Sequence, residues 1–240
     1  MRIHFLIHEE FEQPAAIETW ALGQKHNLSY TRFYLGEKLP KNDIDFDFLI
    51  IMGGPQSPST SREECPHFDG KKEIAFIKNT IENGKFVLGV CLGAQLISEA
   101  LGAKTQQSPH REIGFFEIKF TAKGREDSLT SVFPQKLKAG HWHSDMPGLP
   151  KNASVLAISK GCPRQIIRYS KNVYGFMCHL EFTHKAIEAM IENNPKDLKF
   201  DETEKFIQSE RDLRAFETDR MNDYLFDFLN KLQERYNKEL

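Results

Sequence analysis

The first half of the chain alternates short apolar runs with longer stretches in which apolar residues recur at helical spacing. The short runs are too brief for helices and predict buried strands, whereas the longer stretches predict amphipathic helices. Gly-Gly-Pro at residues 53–55 and Gly84 fall at the ends of two of these elements. The predicted strands are Ile3–Ile7, Thr31–Leu35, Phe46–Met52 and Phe86–Val90, and the predicted helices cover residues 15–26 and 71–83.

This order of elements predicts an α/β fold: a mostly parallel sheet of the flavodoxin-like type with helices on both faces. The middle of the chain has strand-like runs with little helix between them, which predicts additional antiparallel strands in the same sheet. These runs are Glu112–Phe120, Ser154–Ser159, Gln165–Tyr169 and Val173–Cys178. Such folds bind ligands beyond the carboxyl ends of the parallel strands, so we expect the functional site at that edge.

The last part of the chain is predicted to be helical. A helix runs from Thr183 to about Asn193, where Asn-Asn-Pro interrupts the pattern. The charge-rich residues beyond it keep apolar positions near helical spacing, as at Leu225 and Phe228, and predict one or two amphipathic helices. We therefore expect a domain over residues 1–193 and a helical extension over residues 194–240 that packs on this domain or on a partner chain.

Composition narrows the classes of partner. The 240 residues are 40% hydrophobic with a net charge of −2, which allows one filled core and gives no reason to expect nucleic acid or a membrane as partner. No apolar stretch reaches the roughly 20 residues of a membrane-spanning helix, and the first residues enter a strand pattern directly, so we expect a cytoplasmic protein. The four cysteines lack the close spacing of a zinc ribbon, and free thiols are expected.

Cys91 lies where the fourth predicted strand passes into a helix, between Gly89 and Gly93. Gly-x-nucleophile-x-Gly at a strand-to-helix turn is the layout of a nucleophile elbow, in which the glycines allow a sharp turn. The start of the helix favours the thiolate, so we expect a depressed pKa at Cys91, and the N–H of Leu92 is the natural first donor of an oxyanion hole. Inert packing is the alternative for any single cysteine.

A base and an orienting acid for this thiol occur just after the last predicted strand, at His179 and Glu181. Residues two apart in an extended chain point to the same side, so the imidazole can face the thiol while the carboxylate holds its other nitrogen. An ordinary core or surface histidine is the alternative. The pattern favours a catalytic triad of Cys91, His179 and Glu181.

A polar and aromatic segment, Gly140–Asp145, is predicted to be a loop. Its side chains suit the charged ends of an amino acid, which makes His143 and Asp145 candidates for substrate binding. A tryptophan that anchors a loop with solvated histidines is an open alternative, and a zinc site of His141, His143 and a cysteine lacks the usual ligand spacing. We expect no metal and, because no glycine-rich phosphate-binding loop occurs, no cofactor.

The segment 89–95, GVCLGAQ, resembles the nucleophile motif of the class I, triad-type glutamine amidotransferases. Further matches within residues 1–193 resemble the glutaminase domain of GMP synthase: Met52-Gly53-Gly54-Pro55, Glu112-Ile113-Gly114, Trp142-His143 and His179-Leu180-Glu181. The resemblance implies that Gly54 supplies the second oxyanion donor and that Gln95 helps to fix a glutamine substrate. The family carries His-Pro-Glu where this chain has Leu180, so the rigidity that the proline gives is absent here.

The resemblance implies a stand-alone chain that hydrolyses the side-chain amide of glutamine through a cysteine thioester and supplies ammonia to an acceptor enzyme on another chain. A γ-glutamyl peptidase is one alternative, since some relatives cleave γ-glutamyl bonds in peptides. A non-catalytic regulatory relative that binds a partner through residues 196–240 is another, although the intact Cys91, His179 and Glu181 argue against it. A synthase partner chain and a homo-oligomer both stay open.

Overall fold

The computed structural model describes residues 1–42, 45–199 and 204–239 of the chain. Nine strands lie in these ranges: β1 Arg2–Ile7, β2 Asn27–Arg32, β3 Phe48–Ile51, β4 Phe86–Val90, β5 Gln106–Phe120, β6 Lys136–Met146, β7 Ser154–Ile158, β8 Ile166–Ser170 and β9 Val173–Phe176. The helices there are α1 Ala16–Gly23, α2 Gly70–Glu82, α3 Leu92–Ala100, α4 Ala122–Glu126, α5 His184–Asn193, α6 Glu210–Arg214 and α7 Asp219–Glu239.

All nine strands belong to one sheet, in the order β2-β1-β3-β4-β9-β8-β7-β5-β6. The first five strands in this order run parallel, and each later neighbour pairs antiparallel. The α/β fold is confirmed, and so is the expectation that the antiparallel strands extend the same sheet. Beyond the end of β9, His179 pairs with Gly140 of β6, so the antiparallel part of the sheet curls back on itself.

The parallel strands are covered on both faces because their residues alternate between two apolar layers. On one face, side chains such as Phe5, Ile50 and Leu88 pack with α1 and α7. On the other face, Leu49 and Val87 pack with α2 and α3. Helix α7 enters this core through Leu225, Phe228, Leu229 and Leu232, each at most 1% exposed. The division of the chain at residue 193 stays a prediction.

The second strand lies earlier than predicted. Strand β2 begins at Asn27, which pairs with Arg2 of β1, whereas Phe33–Leu35 forms a short 3-10 turn that ends at Gly36 in the left-handed region, with φ 77°. The prediction of a strand over Thr31–Leu35 is therefore wrong in its second half. The apolar character of this turn serves packing instead, because Phe33 is buried and stacks on His8.

The segment Gly140–Asp145 is not a loop, and that prediction is wrong. It lies inside β6, where His141 pairs with Gly114 and His143 pairs with Glu112 of β5. The two histidines alternate to the buried side of the strand, so polar side chains occupy positions that apolar residues usually mark. Because the buried side of β6 carries polar side chains, the alternation of apolar and polar residues that predicts a strand is absent here.

No helix in the described ranges combines the length and the apolar character that crossing a membrane requires.

Candidate active site

Cys91 lies between the end of β4 and the start of α3. Its backbone adopts φ 50° and ψ −106°, a positive-φ conformation that is rare for a residue with a side chain. The crossing of strand and helix is close: a Cβ on Gly93 would overlap the carbonyl oxygen of Ile51, and a Cβ on Gly89 would overlap the backbone of Gly93. The predicted strand, sharp turn and helix are all present, and the glycines are required by the close approach.

A cavity of about 330 Å³ opens above Cys91. It brings together five of the predicted site residues: Gly54, Cys91, Gln95, His143 and Asp145. Trp142 of the predicted segment Gly140–Asp145 also lines it, as do Glu12, Arg111 and Asp197, which were not predicted to contribute. The cavity lies beyond the carboxyl ends of the parallel strands, as expected for this class of fold.

His179 and Glu181 form a buried pair directly behind the cysteine. Nδ1 of His179 lies 2.6 Å from Oε1 of Glu181, and neither side chain is more than 4% exposed. Nε2 of His179 is buried and has no hydrogen-bond partner among the described residues, and the ring stacks on Phe182 at 4.2 Å. Cys91 acts on the pKa of His179 and His179 acts on the pKa of Cys91, as expected for an imidazole near the thiol.

Burial dominates the acid–base behaviour of Cys91, so the prediction of a depressed pKa is wrong. Desolvation raises the pKa of the thiol above its ordinary value, against the lowering effects of His179 and of the Leu92 N–H. For His179, burial opposes the charged form, but the carboxylate of Glu181 and the contact with Cys91 outweigh it and raise its pKa well above the usual value. The two shifts belong to the coupled pair of thiol and imidazole, and the carboxylate of Glu181 makes the imidazole more basic.

The turn that carries His179 and Glu181 is fixed by the C-terminal helix. The side-chain amide of Asn222, in α7, donates to the carbonyl oxygens of Leu180 at 2.8 Å and of Phe182 at 3.1 Å. On the other side of the turn, the backbone N–H of Ala16 donates to the carbonyl oxygen of Glu181 at 3.1 Å. These bonds hold a turn that lacks the proline of the resembling family.

The two predicted oxyanion donors lie against the cysteine. The N–H of Leu92 contacts the sulfur of Cys91. The Gly53-Gly54 turn packs on the same residues, since a Cβ on Gly53 would lie 3.5 Å from Cβ of Cys91 and a Cβ on Gly54 would lie 2.9 Å from Cδ2 of Leu92. In the described ranges the N–H of Gly54 donates no hydrogen bond, so it is free to bind an incoming oxygen.

The predicted substrate-binding residues present free polar atoms at the cavity. Oε1 of Gln95 and Nδ1 of His143 are buried and lack partners in the part of the chain that the structure describes. Burial raises the pKa of Asp145 above its ordinary value, and the nearby His143 reduces this shift without cancelling it. Trp142 contacts both the rim and the floor of the cavity. Its Nε1 donates to Asp197 at 2.9 Å, and its carbonyl oxygen lies 3.8 Å from Sγ of Cys91.

Behind His143 lies a buried polar cluster whose members could hold a metal ion. Glu112, His141 and His143 offer ligand atoms that lie within 4.8 Å of one another. Oε2 of Glu112, however, already accepts from Oγ of Ser159 at 2.8 Å and from Nε2 of Gln165 at 2.7 Å. Since burial lowers the pKa of His141 to about 3, its ring is neutral. The contact of Gln165 with Nε2 of His143 at 3.3 Å joins His143 to this network, whereas both ring nitrogens of His141 are buried and have no hydrogen-bond partner among the described residues.

Sequence reasoning missed Glu12, a carboxylic acid at the cavity wall. Its Oε2 occupies the space where a Cβ of Gly53 would lie, so the side chain covers the Gly53-Gly54 turn. Burial raises the pKa of Glu12 to about 7, with smaller opposing effects of His179 and His8. Glu12 follows β1 in a polar stretch without a recognisable motif, and only the sheet order brings it to Cys91.

The fold and the site define a class of protein: α/β proteins with a cysteine on a strained strand-to-helix elbow and a buried histidine–glutamate pair beside it. Within that class, the model of the family "Glutamine amidotransferase class-I" matches residues 22–197. The chain therefore belongs to the class I glutamine amidotransferase family, which confirms the resemblance drawn from residues 89–95.

Relatives and solved structures agree with this assignment. The chain is 47% identical to the glutamine amidotransferase-like protein YfeJ of Salmonella typhimurium over 97% of both chains. It is 30% identical to a glutamine-hydrolysing GMP synthase subunit of Pyrococcus abyssi over 57% of this chain and 66% of that protein. The crystal structure of SMU.1228c superposes with a TM-score of 0.92 at 46% identity, covering 97% of this chain and all of that one. A glutamine amidotransferase from Thermotoga maritima shares the fold, with a TM-score of 0.83 at 23% identity over 97% of both chains.

Proposed function

We propose that this protein hydrolyses the side-chain amide of glutamine through a thioester on Cys91, with His179 as the base and Glu181 as the group that orients it. The observation that carries the proposal is the 2.6 Å contact between Nδ1 of His179 and Glu181, which leaves Nε2 free beside the thiol at the cavity floor. A histidine held in this way passes a proton between nucleophile and leaving group.

The reaction divides into two acyl-transfer steps. Sγ of Cys91 attacks the amide carbon while its proton moves to Nε2 of His179, and the amide oxygen becomes an oxyanion bound by the N–H groups of Leu92 and Gly54. The C–N bond then breaks, His179 returns the proton to the leaving nitrogen, and ammonia departs. Water attacks the thioester with His179 again as the base, which releases glutamate and restores the thiol.

The wall of the cavity supplies groups for the two charged ends of the substrate. The carboxylate of Asp145 suits the α-ammonium group, and Nδ1 of His143 and Oε1 of Gln95 are unpaired polar atoms of residues that line the same cavity. Arg111 lines the cavity as the cation for the α-carboxylate, and its pairing with Asp197 at 2.7 Å holds the guanidinium in place.

Ammonia made here is of use to an acceptor enzyme, and we propose a synthase partner chain for that role. The support comes from relatives: the protein of Pyrococcus abyssi is named as one subunit of GMP synthase, and the match to the GMP synthase of Tolumonas auensis covers 29% of that longer enzyme. Such a partner would receive ammonia at the open side of the cavity. Together with the cytoplasmic location expected of the chain, this gives a two-component cytoplasmic enzyme as the proposal.

Cleavage of γ-glutamyl peptides is the second candidate, and the cavity has room for it. About 330 Å³ lies at the lower end of the range of pockets that hold drug-sized ligands, which leaves space for a leaving group larger than ammonia. The same triad would cleave the γ-amide bond of such a peptide, with an amino group leaving in place of ammonia.

The two candidates separate in one assay of the purified chain. Release of glutamate is measured with glutamine and with glutathione as substrates, with Cys91→Ser as the control for the nucleophile. Glutamine turnover that exceeds glutathione turnover and disappears in Cys91→Ser supports the glutaminase. If glutathione is cleaved faster than glutamine, the glutaminase proposal is wrong and the γ-glutamyl peptidase is supported. Activity that survives in Cys91→Ser contradicts both candidates.

A further inference from the structure

A second histidine–glutamate pair lies buried on the far side of the oxyanion turn. Nε2 of His8 lies 2.8 Å from Oε2 of Glu73, and the two side chains are 0% and 1% exposed. His8 follows β1, and Glu73 lies in the first turn of α2, so the pair joins two elements that flank the Gly53-Gly54 turn. Neither residue lines the cavity above Cys91, and the mechanism proposed above uses neither of them.

The other nitrogen of His8 is bonded to the backbone of that turn. Nδ1 of His8 lies 2.9 Å from the carbonyl oxygen of Gly53, so the ring donates to this oxygen when Nδ1 carries the proton. The Gly53 carbonyl and the Gly54 N–H belong to one peptide unit, and in a trans peptide they point in opposite directions. A bond that holds the carbonyl toward His8 therefore turns the N–H away from His8.

The surroundings of His8 leave the ring one orientation. It stacks on Phe33 at 5.4 Å and meets the edge of Phe68 at 5.8 Å. Two acidic side chains act on it: Glu73 from α2 and, with a smaller effect, Glu12 from the segment before α1, whose own pKa is raised to about 7. Burial opposes a charge on His8, but these carboxylates and the Gly53 carbonyl outweigh burial and raise its pKa above the ordinary value. A charged donor strengthens the bond to Gly53 and polarises the peptide unit.

We propose that His8 and Glu73 are positioning residues for the oxyanion hole: through the bond to the Gly53 carbonyl they hold the Gly53–Gly54 peptide with the Gly54 N–H directed into the cavity over Cys91. The inference rests on the proposed function, because an oxyanion forms only if an acyl group is transferred. It also means that the second donor is set by the chain's own core and needs no partner chain to turn the peptide into place.

His8→Leu removes the donor while keeping an apolar side chain of similar size. A peptide free to turn loses a donor that acts only in the transition state, so kcat should fall about 10- to 100-fold while KM changes little. His8→Asn places an amide nitrogen near the position of Nδ1 and should recover most of the loss. Glu73→Gln keeps the shape and removes the charge, so its kcat should fall less than in His8→Leu, with the loss growing as pH rises and His8 loses its proton.

The control is His4→Leu. His4 is another buried histidine of β1, 5% exposed, and it is bonded to Ser29 and Thr31 instead of to the oxyanion turn. Its kcat should stay at the wild-type value. Melting temperatures of all variants show whether a loss of activity reflects loss of the fold.

A second readout reports on the oxyanion hole alone. The open-chain form of the aldehyde analogue of glutamine, glutamate γ-semialdehyde, reacts with the Cys91 thiol: a C–S bond forms, the C=O π bond breaks, and the thiol proton passes by way of His179 to the aldehyde oxygen, which occupies the oxyanion position. The equilibrium between the open-chain form and its cyclic imine is the same in every assay, so the ratio of inhibition constants between variants does not depend on it. The inhibition constant should rise in His8→Leu by the same factor as kcat falls. The inference is overturned if His8→Leu, folded at the assay temperature, keeps wild-type kcat and aldehyde affinity. If the wild-type chain neither hydrolyses a γ-glutamyl amide nor binds the aldehyde, the proposed function fails instead.

Discussion

At the scale of single residues, the site contains a backbone conformation that opposes stability. Cys91 has φ 50°, and a residue with a Cβ in such a region costs on the order of 1–3 kcal/mol. Close packing of β4, α3 and the Ile51 carbonyl holds it there. The strain presents the thiol to the cavity, so stability and reactivity are in conflict at this position.

This conflict gives a prediction for two substitutions at one site. Cys91→Gly and Cys91→Ala both remove the thiol and abolish turnover, but only glycine relieves the positive φ. Urea unfolding should therefore find Cys91→Gly more stable than Cys91→Ala by about 1 kcal/mol. At Cys162, which is buried without a positive φ, the order should reverse and alanine should be more stable. If the same substitution, glycine or alanine, is the more stable one at both positions, backbone strain at Cys91 does not determine the difference.

Glu12 gives a prediction that depends on pH. Its pKa is raised from 4.5 to about 7 by burial, so the folded state holds this proton more tightly than the unfolded chain. The protonated carboxyl of Glu12 therefore contributes to the free energy of unfolding. This contribution is fully present below pH 4.5 and is lost as the pH rises through about 7. Glu12→Gln should therefore melt a few degrees above wild type at pH 8, and this difference should disappear at pH 4.5. Scanning calorimetry at the two pH values measures it, and a gain that is equal at both would place the carboxyl in solvent.

At the scale of elements, α7 acts on the catalytic turn through Asn222. Asn222→Leu removes the bonds to the carbonyl oxygens of Leu180 and Phe182, which should cost about 1–3 kcal/mol of stability and lower kcat as the imidazole loses its position. The matched control is Asn230→Leu on the same helix, where the side chain accepts from Nε1 of Trp20 at 2.8 Å. That variant should lose stability and keep kcat. If Asn222→Leu and Asn230→Leu have the same kcat, the bonds from Asn222 do not position the catalytic turn.

How much the sequence predicts differs from element to element for physical reasons. The elbow at Cys91 could be predicted because an apolar run, two glycines and a helical pattern are local signals. Strand β6 could not, because its buried side carries His141 and His143 where alternation would show apolar residues. His8 and Glu12 were missed for another reason: their contacts with Gly53 depend on the order of strands, and no local pattern encodes that order.

At the scale of the whole molecule, the core does not stop at residue 193. Leu225, Phe228, Leu229 and Leu232 of α7 are fully buried in the same apolar layer as the sheet, and each is worth about 1.5–3 kcal/mol by burial. A chain truncated after residue 193 should therefore be largely insoluble or expose apolar surface that binds a fluorescent dye. Truncation after residue 237 keeps Leu225, Phe228, Leu229 and Leu232 and is the control. A soluble, cooperatively folding product of residues 1–193 would show instead that the extension is dispensable.

The pairing of His179 with Gly140 affects the order in which the active site can form while the chain is being synthesised. Strands β3 and β4, with Gly54 and Cys91 just after them, leave the ribosome first, followed by β6, then the turn with His179, and last the helix with Asn222. A nascent chain can therefore complete its elbow well before a base reaches it. We expect incomplete translation products to carry an unreactive Cys91, because the helix that secures the histidine is made at the end.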